Sequence, residues 1–322
     1  MFVCEARIIA VLIIFIKKAI MGKNSLSRRR FLAALTAGAG SVVFSRSLFA
    51  LAGPVSGLPS YKLPLVTLGN TGIKTTFLGM GTGFSGTNRS SSITRAGTAE
   101  NMIRGAWERG VRFFDCADTY GTHPFLAKAL KSIPREDYIL TSKIWVEKGG
   151  LPEVERPDAD VVVERFRKEL KTDYIDLVQI HCQTDPKWTE RHKKQMDILE
   201  NLKSKGVIRA HGASVHSLEA MEACVGNPWV DVVHVRINPY GDTMDRKDPA
   251  EVTPVIEKLH REGKGIIGMK LIGNGHFRND PEKIDASLKF VLGLKTVDMV
   301  IVGFEKPEQI DDYIDRIHRL KG

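Results

Sequence analysis

Cysteine is scarce in this chain, with four in 322 residues. Cys4 falls in a basic leader, which leaves Cys116, Cys182 and Cys224. An odd number without metal-ligand spacing excludes a disulfide framework, and the apolar runs around the three predict buried free thiols. Long hydrophobic runs are missing too: Ile8 to Ile16 is too short for a bilayer, which needs about 20 apolar residues. No low-complexity linker or collagen-like repeat occurs. A hydrophobic share of 43% with 26% charged residues excludes a disordered chain and describes an ordinary globular protein.

Positive charge is present, but unevenly placed. Of the formal net charge of +9, the first 52 residues hold eight Lys and Arg against Glu5 alone, and the remaining 270 residues are nearly balanced. The basic character therefore belongs to the leader, which removes the main support for nucleic-acid binding. Within the leader, Ser27-Arg28-Arg29-Arg30-Phe31-Leu32 precedes an apolar stretch from Ala33 to Phe44, and Ala50-Leu51-Ala52 follows. A charged start, a short apolar middle and a small-residue cleavage pattern read as a secretory signal. Its paired arginines resemble a twin-arginine (Tat) signal. The expected organisation is a leader over 1–52 and a folded domain over 53–322. It implies passage through the Tat machinery, an extracytoplasmic or periplasmic location, and a mature form with no membrane span.

Past Leu63 the pattern alternates. Leu63–Leu68 and Lys74–Leu78 flank Gly69-Asn70-Thr71-Gly72, a hairpin signal. Eight strand-like runs follow: Phe77–Gly81, Arg112–Ala117, Tyr138–Ile144, Tyr174–His181, Ile208–Ser214, Val230–Ile237, Gly265–Leu271 and Met299–Phe304. Amphipathic stretches lie between them, including Val161–Leu170, Gln195–Lys205, Ser217–Val225, Pro254–Glu262 and Pro307–Leu320. Strict alternation implies parallel strands covered by helices, and eight units in about 250 residues predict a closed α/β (β/α)8 TIM barrel behind an N-terminal β-hairpin. An open dinucleotide-binding sheet is the rival. Gly79-Met80-Gly81-Thr82-Gly83 lacks the spacing it requires, and polar residues run from Ser85 to Gly97 where its helix would begin.

Reactive groups of such barrels lie at the C-terminal ends of the strands. The second strand ends on Asp115 with Tyr120 in the loop beyond, the third ends on Thr141-Ser142-Lys143, and the fourth on Gln179-Ile180-His181. Each residue alone has a structural explanation as a cap, a surface lysine, a core histidine or a loop aromatic. Together they suit proton delivery. A phenol with a pKa of about 10 is a poor acid near neutrality, and an ammonium beside it should lower that value. Lys143 would need Asp115 as a counter-ion, and His181 could orient a carbonyl through a ring N–H. No Ser-His-Asp arrangement or metal-ligand set is visible, so hydride from a nicotinamide is the natural partner of that proton. No metal site is expected.

Phe114-Asp115-Cys116-Ala117-Asp118-Thr119-Tyr120-Gly121 resembles the aldo-keto reductase signature D-[TS]-A-x-x-Y-G. The resemblance extends over nearly the whole of the chain past Leu63, and its tetrad falls on Asp115, Tyr120, Lys143 and His181. It implies NAD(P)H-dependent reduction of aldehydes or ketones to alcohols, with Tyr120 protonating the oxygen of a small-molecule carbonyl substrate. It also implies a cofactor set of Gly81, Thr82, Ser214, His234, Met269, Lys270, Leu271, Gly273, Gly303 and Gln309. Several of these depart from the family pattern. Val215 stands where Asn is common, His234 for the carboxamide-binding Gln, and Met269 for a stacking aromatic. Gly303, Phe304 and Gln309 replace the Lys, Ser and Arg that grip a 2′-phosphate. NADP(H) is the expected cofactor ahead of NAD(H), with Lys270 and Arg278 as replacement charges. Trp145, Trp188 and Tyr240 could wall the substrate pocket, which the chain's end after the eighth helix would leave open.

Two alternatives follow from the same residues. One is a barrel that keeps the tetrad but has turned to binding or regulation with little or no turnover. The other, a metal-dependent hydrolase, would need a partner set that His211 and His216 lack.

Overall fold

The computed structural model describes residues 63–321, so the leader and its expected cleavage point lie outside the described residues. Two short strands, β1 (Leu65–Thr67) and β2 (Lys74–Thr76), pair antiparallel across the Gly69–Gly72 turn. Gly69 and Gly72 both take positive φ there, a conformation that glycine adopts without a steric penalty. The turn carries Leu68 and Ile73 into the floor of the domain, where both are fully buried.

Above that floor eight parallel strands close into a barrel. They are β3 (Leu78–Gly81), β4 (Phe113–Asp115), β5 (Ile139–Ile144), β6 (Ile175–Gln183), β7 (Ile208–Val215), β8 (Val232–Arg236), β9 (Gly265–Met269) and β10 (Met299–Gly303). The pairings run in chain order, and β10 closes on β3 through Val300↔Leu78 to Gly303↔Gly81. The outer ring and its short additions are α1 (Ser92–Arg95), α2 (Ala99–Glu108), α3 (His123–Ala129), α4 (Ala159–Leu170), α5 (Trp188–Arg191), α6 (Lys193–Ser204), α7 (Leu218–Glu222), α8 (Pro249–Arg261), α9 (Pro281–Leu294) and α10 (Pro307–Lys321). The alternation read from the sequence is thus the (β/α)8 barrel.

Boundaries shift where local chemistry outweighs periodicity. α8 begins at Pro249 rather than Pro254, because Asp248 accepts a hydrogen bond from Ala250 N and Pro249 suits the first helical position. Pro254 then sits inside the helix. β6 continues two residues beyond His181 through an irregularity between Ile180 and Gln183, with Cys182 at φ 59°. Such a bulge breaks the in–out alternation and re-aims side chains at the barrel mouth.

Inside the barrel, alternate strands supply each layer of side chains. Phe113, Leu177, Val232 and Met299 fill an apolar level packed with Leu68 and Ile73. The strand registers place Asp115, Gln179, His234 and Ile301 higher, and Gly81, Lys143, Ser214 and Met269 next toward the mouth. Going up the barrel, the interior therefore changes from hydrocarbon to polar groups within two residues on β4, β6 and β8, while β10 stays apolar with Ile301.

Candidate active site

The mouth of the barrel holds an elongated cleft. It runs from Tyr120, Lys143 and His181 at the ends of β4–β6, past Ser214 and Met269, to Arg278 and Asp312 beyond β9 and β10. All four members of the expected tetrad line it, Asp115 included.

Asp115 sits at the deep end, 3% exposed, in an ion pair with Lys143 Nζ. Lys143 also donates to Cys116 O at 3.1 Å. Burial by itself would push the Asp115 carboxyl up. Lys143, and then His234, more than offset this and hold it near 2. Thr82 fixes the backbone of Asp115, donating to its carbonyl from both N (3.1 Å) and Oγ1 (2.8 Å). The next loop is pinned by Asp118, which is 3% exposed and pairs with Arg165 at 2.7 Å and Arg89 at 3.4 Å.

That loop presents Tyr120. Its hydroxyl lies 3.4 Å from His181 Nε2, and Lys143 Nζ lies 5.2 Å from the centre of its ring. The ring rests on glycine: a Cβ at Gly83 or at Gly86 would overlap it. The sequence pattern gave these two glycines no role in the site. Their one visible signal was a Gly density after β3 that a dinucleotide fingerprint does not explain.

The expected lowering of the Tyr120 pKa is overturned. Burial, and after it Asp115, drives the phenol well above 10. Lys143 faces the ring from 5.2 Å with its charge already committed to Asp115, so little of its field is left to stabilise a phenolate. The site holds a fully protonated phenol, which is the state a proton donor needs. His181 is likewise driven well below 6.5, by burial first and Lys143 second, so its ring is neutral. One ring N–H is then available, and if Nε2 carries it the donor points to the same spot as the phenol.

Most of the expected cofactor residues line the cleft: Gly81, Thr82, Ser214, Met269, Lys270, Leu271, Gly303 and Gln309. His234 and Gly273 do not. His234 has no exposed surface and faces Asp115, because it lies one layer below Ser214. In its place the cleft offers His216, neutral because burial, Arg236 and Lys270 hold it near 3. Ser214 Oγ accepts from Cys182 N at 2.8 Å, which leaves its own proton for an acceptor in the cleft. At the far end, Gln309 Oε1 accepts from the backbone N–H groups of Glu305 and Lys306, at 2.8 and 3.1 Å. It braces the turn into α10 rather than reaching outward. Glu305 and Asp312 line this end together with Arg278.

None of the three expected aromatics lines the cleft itself, where Phe84, Phe304 and Tyr313 stand instead. Trp145 packs edge-on against His181 at 5.4 Å. Trp188 is fully buried in the outer core and donates to Ala220 O, and Tyr240 packs on Phe277 outside the cleft. His211 is also buried, stacked on Trp229 at 4.3 Å. Cys116 and Cys224 are buried thiols, whereas Cys182 is only half-buried.

The cleft fits an extended dinucleotide. Its floor between β3 and β10 is bare backbone, since Gly81 and Gly303 pair there without side chains.

Comparisons with known proteins agree with this geometry. The model of the aldo/keto reductase family matches residues 78–286. The chain is 24% identical over 303 residues to L-galactose dehydrogenase of Arabidopsis thaliana, covering 81% of this chain and 90% of that protein. It is 29% identical over 169 residues to aldo-keto reductase YhdN of Bacillus subtilis, where the match spans about half of each protein, 48%. Among solved structures, a putative aldo-keto reductase from Pseudomonas aeruginosa superposes with a TM-score of 0.64 at 25% identity, over 80% of this chain and 95% of that one.

Proposed function

This chain belongs to the aldo/keto reductase family, and on that premise we propose that it is an NAD(P)H-dependent reductase of small aldehydes or ketones, with Tyr120 as proton donor. One observation carries the reading: the Tyr120 hydroxyl and His181 Nε2 stand 3.4 Å apart over the buried Lys143–Asp115 pair. A carbonyl oxygen between them would accept a hydrogen bond from each, as in an oxyanion hole. When bound, the nicotinamide supplies the hydride that the carbonyl carbon receives. Tyr120 gives its proton to the oxygen as charge builds there, and is reprotonated from solvent afterwards. The neutral His181 ring orients the oxygen without competing for the proton. Asp115 holds Lys143 beside the Tyr120 ring but claims most of its charge, so the phenolate left behind is a strong base that solvent readily reprotonates. Ser214 and His216 present neutral polar groups where the carboxamide would lie, and Met269 offers a polarisable surface to the ring.

On the adenosine side, the preference for NADP(H) over NAD(H) rests on Arg278 and is modest. Glu305 and Asp312 oppose a 2′-phosphate from the same end of the cleft, and Gln309 does not reach it. The leader supports a further part of the reading, that the protein is exported in folded form by the Tat route to an extracytoplasmic location. Replacing Arg28, Arg29 and Arg30 with lysine should retain the protein in the cytoplasm, as fractionation would show.

The test of the activity is direct. Protein purified without the leader should quench NADPH fluorescence and oxidise NADPH in the presence of a generic aromatic aldehyde. Binding with no turnover of any carbonyl would favour a binding or regulatory barrel instead.

A further inference from the structure

One buried titratable group near the tetrad is left without a part in this chemistry. His234 comes from β8, directly across the barrel axis from β4, and its Nε2 lies 3.1 Å from Asp115 Oδ1. It has no solvent exposure, and neither ring nitrogen makes an aligned hydrogen bond to another protein group. The 3.1 Å approach is thus a close electrostatic contact that a small turn of the ring would align.

We propose that His234 is a positioning residue that holds Asp115 from the far wall of the barrel, sharing its Oδ1 with Lys143. The assignment rests on the carbonyl-reductase reading for its catalytic consequence, but not for its geometry. A carboxylate can only accept, so the neutral ring must carry its hydrogen on Nε2, which leaves Nδ1 as a bare acceptor inside the barrel. Desolvation outweighs the pull of Asp115 and keeps the ring neutral. A dipole therefore meets Asp115 where a second full charge would have competed with Lys143. The arrangement braces the carboxylate from two directions, and Lys143 is in turn held where it faces the Tyr120 ring. It also means that His234 does not read the cofactor carboxamide, for it lies below the cleft floor and lines no part of it.

Three measurements on the protein lacking its leader decide the point. Nitrogen-15 spectra should show His234 as the neutral Nε2–H tautomer, and D115A should move its Nε2 resonance. H234L should fold with cofactor Kd within about twofold of the parent and lower kcat roughly tenfold, the scale of losing one hydrogen bond to a charged group. H234Q, whose amide nitrogen overlays Nε2, should restore most of that loss. An Nδ1–H tautomer overturns the proposal, as does weaker cofactor binding at unchanged kcat in H234L. If H234L fails to fold, the tautomer and its response to D115A still decide. If the parent reduces no carbonyl, the enzymatic reading fails alone, and the same spectra judge His234 separately.

Discussion

The ring of Tyr120 rests directly on the backbone of Gly83, leaving no space for even a methyl group at that position. Two loops that follow different strands are thereby locked together, and the phenol's direction is set by the strand β3 turn as much as by its own loop. We expect Gly83→Ala to displace the ring and lower kcat/KM about a hundredfold or more, the scale of a misplaced catalytic group. Tm should change far less than in a core cavity mutant. Steady-state kinetics beside thermal melts would check both, and an unchanged rate would show that the ring has another way to settle.

Tyr120→Phe removes the proton and little else. Turnover should fall by roughly 100- to 10,000-fold, the usual worth of a positioned general acid. NADPH affinity, read by fluorescence quenching, should stay within about twofold. A parallel loss of affinity would mean that the hydroxyl serves binding rather than proton transfer.

Lys143→Met leaves Asp115 buried with one of its two partners gone. Breaking a buried ion pair from one side costs about 3–5 kcal/mol, so the urea midpoint should drop sharply. Lys143→Met combined with Asp115→Leu should recover part of that stability but none of the activity. Recovery of turnover in the double variant would contradict the assigned role of the pair.

The buried histidines give stability a defined slope with pH. His181, His216 and His234 are all held below the ordinary value of 6.5, burial being the leading cause in each, and His216 is held near 3. Between those values the unfolded chain binds protons that the native state refuses, so stability is complete above about pH 6.5 and declines as pH falls. Each group can contribute up to about 1.4 kcal/mol per pH unit. Asp115, held near 2, adds its own loss only below its unfolded value of 3.8. Urea titrations at pH 7, 6 and 5 should show a falling midpoint, with a shallower fall in His216→Asn.

At the adenosine end, Arg278→Ala should erase what preference for NADPH there is, while the parent discriminates less than about tenfold, a difference near 1.4 kcal/mol. Paired titrations with NADPH and NADH measure this. A strong parental preference that survives the substitution would place the 2′-phosphate elsewhere.

The chain's own pattern determined the barrel and the reactive strand ends. Alternating apolar runs and amphipathic stretches admit few layered folds, and Asp115, Lys143 and His181 each lie within two residues of the C-terminal end of a strand, the end that must face the mouth. Periodicity also marked α4 and α6 to within two residues of their ends, but ran three residues past α7 and missed the capped start of α8. What the linear pattern could not carry was anything fixed by strand tilt and register. His234 meets Asp115 only because β8 lies opposite β4 and the registers bring both to one level. Gly83 and Gly86 acquire a role only when Tyr120 folds onto them from another loop. Trp188 left the pocket for the core because its side of α5 faces α7 and Trp229 rather than the mouth. The direction of the Tyr120 pKa shift went the same way, since burial and the partner already claimed by Lys143 are properties of the closed barrel.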